Sequence, residues 1–190
     1  MNFLGHLYFS HDDLALMQAN LFGDFVKGKD LRRYSLKIQE GITLHRKIDH
    51  YIDHHPSVSK LLHILYEPLP KVASIAVDLY FDHLLAKNWN LFHSQRLEKF
   101  LENFYNSIDP SIEFYTADFQ LMLAKMKEKN WLFHYQSLYG LEKSCVSVSN
   151  RISFDNKLKE GVVVFEKHHK EIEMAFYEYM KDAQLFFRKI

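Results

Sequence analysis

Six glycines and four prolines are all that this 190-residue chain has to break or bend a helix. A sheet protein needs tight turns between strands, and those turns draw on Gly and Pro for positive or fixed φ. A chain so poor in breakers favours helices. Hydrophobic residues make up 47% and aromatics 15%, which is enough to bury a core and too much for a disordered chain. No repeat, low-complexity stretch or flexible linker divides it. We therefore expect one all-α domain over residues 1–190, a single-domain helical bundle.

Punctuation places the helices. Residues 4–25 mix apolar and polar positions, with helix from Asp12 onward and Asp12 or Asp13 as the cap. Gly28 ends that pattern. A helix over 35–52 carries Ile38, Ile42 and Ile48 on its apolar side, and Pro56 suits the first turn of the next helix. Pro68 and Pro70 precede a strongly apolar helix over 72–87. Further helices are expected at 96–105, 112–127, 131–139 and, as one long element, 154–187, with a turn at Asp109-Pro110. Val162-Val163-Val164 alone reads as a strand, but its helical flanks overrule that.

Composition narrows the function. Lys plus Arg and Asp plus Glu both number 24, so net charge gives no case for nucleic-acid binding. Cys145 is alone and cannot form an internal disulfide, which suits a reducing compartment. His6, His11, Asp12 and Asp13 interrupt any signal-peptide pattern, and no apolar run reaches membrane-span length. The expected location is cytoplasmic, with no membrane partner. Twelve histidines are the compositional oddity; His54-His55 and His168-His169 read as solvated faces.

Two clusters carry the chemistry. Asp78-Leu79-Tyr80-Phe81-Asp82-His83 puts two carboxylates one helical turn apart on an otherwise apolar helix, with an imidazole beside them. Such groups are expensive to bury without a positive partner, and a divalent metal ion is the simplest one. His45-Arg46-Lys47-Ile48-Asp49 places His45 and Asp49 on one face, with Arg46 a fork-shaped phosphate donor or simply a solvated partner of Asp49 or Asp53. His6 alone reads as a hydrogen-bonded core histidine, and Asp24 alone as a helix-end residue. Together the groups supply imidazole and carboxylate ligands from three segments, suited to Mn²⁺, Mg²⁺, Fe or Zn²⁺; without paired cysteines a structural zinc site is disfavoured.

Four stretches together carry a resemblance: Asn2-Phe3-Leu4-Gly5-His6-Leu7, Gly23-Asp24-Phe25-Val26-Lys27-Gly28, Gly41 through Asp49, and Asp78 through Leu85. In order and spacing this resembles the acyl carrier protein phosphodiesterase family, also called acyl carrier protein hydrolyase, over residues 1 to about 90. Weaker similarity continues through Trp131 and Asn150-Arg151 to the end of the sequence. The resemblance implies an all-helical, HD-phosphohydrolase-like enzyme. Such an enzyme cleaves the phosphodiester between 4′-phosphopantetheine and a serine of holo-acyl carrier protein, with Mn²⁺ as the expected metal and Mg²⁺ or Fe²⁺ as substitutes. Asp82-His83 reverses the adjacent His-Asp order of HD enzymes.

On that resemblance the expected ligands are His45, Asp82 and either Asp24 or Asp78, with His6, Asp49 and His83 in or beside the ligand set. Arg46, Asp49 and His83 are the expected catalytic residues, Arg46 and Arg151 the expected phosphate contacts. Acyl carrier proteins are acidic, and Lys27, Lys29, Arg32, Arg33 and Lys37 form the sharpest positive cluster available to dock one. Three rival readings stand beside this one. They are an HD-type phosphohydrolase acting on guanosine polyphosphates, a carboxylate-bridged di-iron bundle, and a non-catalytic module that binds carrier protein. The di-iron bundle typically uses Glu and Glu-x-x-His rather than Asp-rich clusters.

Overall fold

The computed structural model describes residues 1–109 and 112–188, and among these it contains eleven α-helices and no strand. The expected all-α architecture is what forms. The chain opens with α1 (Phe3–Tyr8) and α2 (Leu14–Phe22), followed by a short 3₁₀ turn at Gly23–Phe25. Asp13 caps α2, its carboxylate accepting from the Leu16 amide at 2.9 Å. Gly28, at φ +83°, turns the chain toward α3 (Leu36–Asp53).

α2 and α3 lie close together, and Gly41 is why. A Cβ at Gly41 would stand 2.3 Å from the Cβ of Ala19 and 2.7 Å from the amide nitrogen of Asn20. Pro56 starts α4 (Pro56–Leu65) as expected. The central element is α5 (Ala73–Lys87), in which eleven of fifteen residues are buried. A helix buried on most of its circumference must be wrapped by neighbours; α1, α4, α9 (Leu138–Ser149) and α11 (His169–Phe187) pack against it.

The second half is more broken than its pattern suggests. α6 (Leu97–Ser107) buries Leu97, Phe100, Leu101, Phe104 and Tyr105, one apolar stripe at helical spacing. α7 (Ala117–Lys129) begins only after Thr116, whose hydroxyl caps it, so residues 112–116 are not helical. α8 (Trp131–His134) is a single turn, and α9 starts anew because Ser137 accepts from the Gly140 amide at 3.1 Å. The expected helix over 154–187 is two helices, α10 (Gly161–Lys167) and α11, parted at His168. Asn156 holds the preceding stretch irregular by bonding Ser149 and the Leu158 amide. Pro110, half of the expected turn, lies outside the described residues. The Val162–Val164 run is helical. His55 is buried, not solvated: it caps α4 and reaches Asp182 on α11.

Candidate metal centre

Four side chains from three segments converge at one end of the α2–α3 pair. His6 comes from α1, Asp24 from the 3₁₀ turn, and His45 and Asp49 from successive turns of α3. Asp49 is the bridge: Oδ1 lies 3.2 Å from His6 Nε2 and Oδ2 lies 3.2 Å from His45 Nε2. Asp24 Oδ1 stands 3.3 Å from the same His45 nitrogen. The two imidazoles stack with ring centres 4.2 Å apart. His6, His45 and Asp49 can each offer a ligand atom with all three atoms within 4.8 Å of one another. Gly23 makes the approach possible, since a Cβ there would sit 2.4 Å from Cγ of His45.

The tautomer of His6 is decided by its surroundings. Asn20 donates its amide NH₂ to the His6 carbonyl and to Ser10 Oγ, both at 3.0 Å, so its Oδ1 faces His6 Nδ1 at 2.9 Å as an acceptor. Nδ1 therefore carries a proton, and in the neutral ring Nε2 carries a lone pair. That lone pair points at two more acceptors, the Met1 carbonyl at 3.0 Å and Asp49 Oδ1 at 3.2 Å. Three electron-rich atoms facing one another require a positive charge among them. His45 is held differently, for its Nε2 faces the acceptor oxygens of Asp24 and Asp49 and carries a proton toward them, while its Nδ1 is buried without a partner.

The charges agree with that demand. Burial opposes protonation of His45, but its bonds to Asp24 and Asp49 overcome burial and raise its pKa to about 9. Burial also resists charge on Asp49, yet the two imidazoles hold it well below the usual carboxylate range. Asp24 is likewise lowered by His45 against the effect of burial. Burial lowers His6 despite its bond to Asp49. The donor set fits a divalent cation of intermediate hardness: two imidazole nitrogens, two carboxylates, and a histidine oriented from behind by an amide.

His6, Asp24 and Asp49 line a cleft of about 400 Å³ shared with Asp53, Asp78 and Arg151, and with an apolar wall that includes Phe3, Ile52, Ile75, Leu79 and Val148, whereas His45 is buried and does not line it. Among the described residues of this lining Arg151 is the only cationic Lys or Arg side chain.

Several expected site residues are placed elsewhere. Asp82 is fully buried, and its carboxylate accepts from the amides of Leu4 at 2.7 Å and Gly5 at 3.0 Å. Asp78 pairs with the Met1 amino group at 2.9 Å. The positive groups that face these aspartates in the structure are at the start of α1: the Met1 amino group for Asp78 and the first helical N–H groups for Asp82. Asp82 holds the helix that carries His6; it does not face the cluster. Asp78 does border the cleft. His83, five positions from Asp78, points to another side of α5 and bonds the Tyr135 carbonyl at 2.6 Å. Arg46 does not line the cleft: its Nη2 donates to the carbonyls of Val26 and Gly28, at 3.1 and 2.7 Å. Of the basic segment, Arg32 is paired with Asp30, Lys37 is shared by Asp13 and Glu40, and Arg33 bonds and stacks on Tyr34. Lys27 and Lys29 are exposed and lack an ion pair among the described residues.

Asn20, Asp53 and the Met1 carbonyl were not singled out from sequence. Only Asn20 gave a signal there, as a polar residue in the apolar run Ala19-Asn20-Leu21-Phe22, one turn before Asp24.

The family model for acyl carrier protein phosphodiesterase matches residues 1–183. The chain belongs to the acyl carrier protein phosphodiesterase family. Relatives bearing that name are 28% identical in Photorhabdus laumondii over 94% of this chain and 91% of the relative. A Yersinia enterocolitica relative is 29% identical over 94% and 93%. A third, from Yersinia pestis, is 29% identical over 97% and 98%. No solved structure matches the chain, so the HD-phosphohydrolase likeness has no structural neighbour behind it. Among the described residues of this family member, no helix is long and apolar enough to cross a membrane.

Proposed function

We propose that this protein hydrolyses the phosphodiester joining 4′-phosphopantetheine to a serine of holo-acyl carrier protein, with a divalent cation, Mn²⁺ first among candidates, held by His6, His45, Asp49 and Asp24. Family membership supports the substrate. The observation that carries the cation is the His6 Nε2 lone pair turned toward the Met1 carbonyl and Asp49. When bound, such an ion supplies Lewis acidity toward phosphoryl oxygens and makes water acidic enough to attack near neutral pH.

The chain's own residues do the rest. Asn20 keeps Nδ1 of His6 protonated and Nε2 turned to the site. Asp49, held between two imidazoles, stays ionised. Arg151, at the edge of the cleft, is the group suited to the non-bridging phosphoryl oxygens, since Arg46 is engaged with the 26–28 backbone. The cleft's apolar wall suits the aliphatic part of the pantetheine arm. Water adds to phosphorus, the bond from phosphorus to the serine oxygen breaks, and that oxygen takes up a proton. Asp53, whose carboxyl is raised by burial and by the neighbouring Asp78, is the cleft residue best suited to hand it over. Lys27 and Lys29 lie three and five positions after Asp24 and are exposed, free to meet an acidic carrier protein.

The test is intact-protein mass spectrometry of holo-acyl carrier protein incubated with the metal-stripped protein, with and without Mn²⁺. A metal-dependent loss equal to the 4′-phosphopantetheine group is the expected result. An unchanged mass, with the protein folded and metal-loaded, would overturn the assignment, and turnover of guanosine polyphosphates instead would replace it.

A further inference from the structure

Asn2 opens the first of the four stretches that carry the resemblance, yet neither the metal cluster nor the proposed chemistry uses it. It stands just before α1, where an asparagine ordinarily accepts from the second or third amide of the helix. Here its side chain makes no such bond. Asp82 takes the Leu4 and Gly5 amides instead. The Asn2 side chain is thus released from capping, and it lines the cleft together with Phe3, His6 and Leu79.

Hydrogen bonds behind it decide which way its amide points. Ser144 donates its hydroxyl to the Gly140 carbonyl at 2.9 Å, so toward the Tyr135 hydroxyl it can only accept. Tyr135 gives its proton to Ser144, and its oxygen accepts from Asn2 Nδ2 at 3.3 Å. Nδ2 therefore faces the buried Tyr135, and Oδ1 is left as a spare acceptor. Oδ1 meets no donor among the described residues, and it is not one of the polar atoms enclosed in the core, so a molecule in the cleft can reach it. The His6 amide closes the first turn of α1 on the Asn2 carbonyl at 3.3 Å. The spare acceptor thus stands about one helical turn, ~5.4 Å, from the residue whose imidazole faces the cation site. Asn2 is the only side-chain amide in the described lining, where the other oxygen acceptors are carboxylates. A neutral acceptor reads an N–H or O–H without adding to the negative charge that a phosphate meets there.

We propose that Asn2 is a specificity-determining residue of the cleft, its Oδ1 accepting a hydrogen bond from the pantoyl segment of the 4′-phosphopantetheine arm. That segment carries a hydroxyl and an amide N–H a short way beyond the phosphate, separated from it by a branched, apolar carbon that suits the wall of Phe3, Leu79 and Val148. The identity of the ligand rests on the proposed reaction; the spare acceptor beside the cation site does not.

The test is calorimetric titration of the full-length protein, in the presence of Mn²⁺, with 4′-phosphopantetheine and with 2,2-dimethylpropyl phosphate. The second ligand keeps the phosphate and the branched carbon of the arm but has neither its hydroxyl nor its amides. Asn2→Ala should weaken 4′-phosphopantetheine by about 5- to 10-fold, the loss of one neutral hydrogen bond, and leave 2,2-dimethylpropyl phosphate within about 2-fold of wild type. The second ligand also reports that the variant keeps its cleft. Should Asn2→Ala not fold, Tyr135→Phe carries the same comparison, since it loosens the Asn2 amide without removing it; the expected loss is then about 2- to 3-fold. Unchanged affinity for 4′-phosphopantetheine, an equal loss for both ligands, or a wild type that binds the two phosphates equally or not at all would each overturn the proposal. Hydrolysis of holo-carrier protein by wild type is measured separately. Hydrolysis without this discrimination would overturn the contact alone, and discrimination without hydrolysis would overturn the reaction alone.

Discussion

His6 donates its Nδ1–H to Oδ1 of Asn20 at 2.9 Å, and this bond decides which ring nitrogen of His6 faces the cleft. Asn20 is in turn fixed by donating to the His6 carbonyl and Ser10. The histidine and the amide that orients it thus form one closed unit spanning α1 and α2. A metal-ligating histidine is commonly held from behind in this way, and loss of the supporting group typically weakens metal binding about 10- to 100-fold.

Asp82 should set a pH dependence of stability. Burial pushes its pKa up to about 7 from an ordinary value of 3.8, although the Leu4 and Gly5 amides pull it down. Between those values the folded protein keeps a proton that the unfolded chain has lost. The stabilisation is full below the ordinary value and disappears as pH rises through about 7, by something on the order of 4 kcal/mol over the window. Asp82→Asn keeps one acceptor and cannot ionise. Urea unfolding at pH 4 and pH 8 should show the variant gaining on wild type as pH rises; a constant gap would contradict the assignment.

Gly23 tests the packing of the cluster. With a Cβ only 2.4 Å from His45 Cγ, Gly23→Ala must displace the imidazole from Asp24 and Asp49. We expect Mn²⁺ affinity to fall by at least ~10-fold, read by calorimetry, with the helical circular dichroism unchanged. Wild-type affinity would show that His45 is not held where the geometry puts it.

The two arginines should separate kinetically. Arg151→Ala removes the cleft's cationic side chain and should lower kcat/KM for holo-carrier protein by roughly 10²-fold, as loss of a charge-stabilising group does. Arg46→Ala frees the 26–28 backbone instead, so its main effect should be on thermal stability and on the carrier KM. Equal loss of kcat in both variants would return Arg46 to the phosphate.

Charge reversal at Lys27 and Lys29 should raise KM for the carrier protein and flatten its dependence on salt, because exposed complementary charges act mainly on association. Arg32→Glu should do less, since Arg32 is already neutralised by Asp30. Indifference of KM to the lysine reversals would remove this loop from the docking surface.

Much of the fold was legible because helix signals are local. Breaker scarcity, the Pro56 start and the apolar run of α5 each needed only neighbouring residues. The breaks at Ser137 and His168 were not legible, since a serine cap looks like any serine and the helix ending at His168 has no Gly or Pro to mark it. Of the site, the i, i+4 pair His45 and Asp49 was readable, and so was the need of Asp78 and Asp82 for a positive partner. That their partner would be the start of α1 was not, because it depends on a contact between residues 77 and 78 positions apart. The role of Asn20 was hidden likewise: an amide in a helix says nothing of which ring nitrogen it will hold.

The most direct test of the metal centre is an electron paramagnetic resonance titration of the metal-stripped protein with Mn²⁺, counting free ion for wild type and Asp49→Ala. Saturable binding in wild type that the substitution abolishes is the expected result. Equal binding by the two proteins would show that the cation, if one is used, is held somewhere other than between His6 and His45.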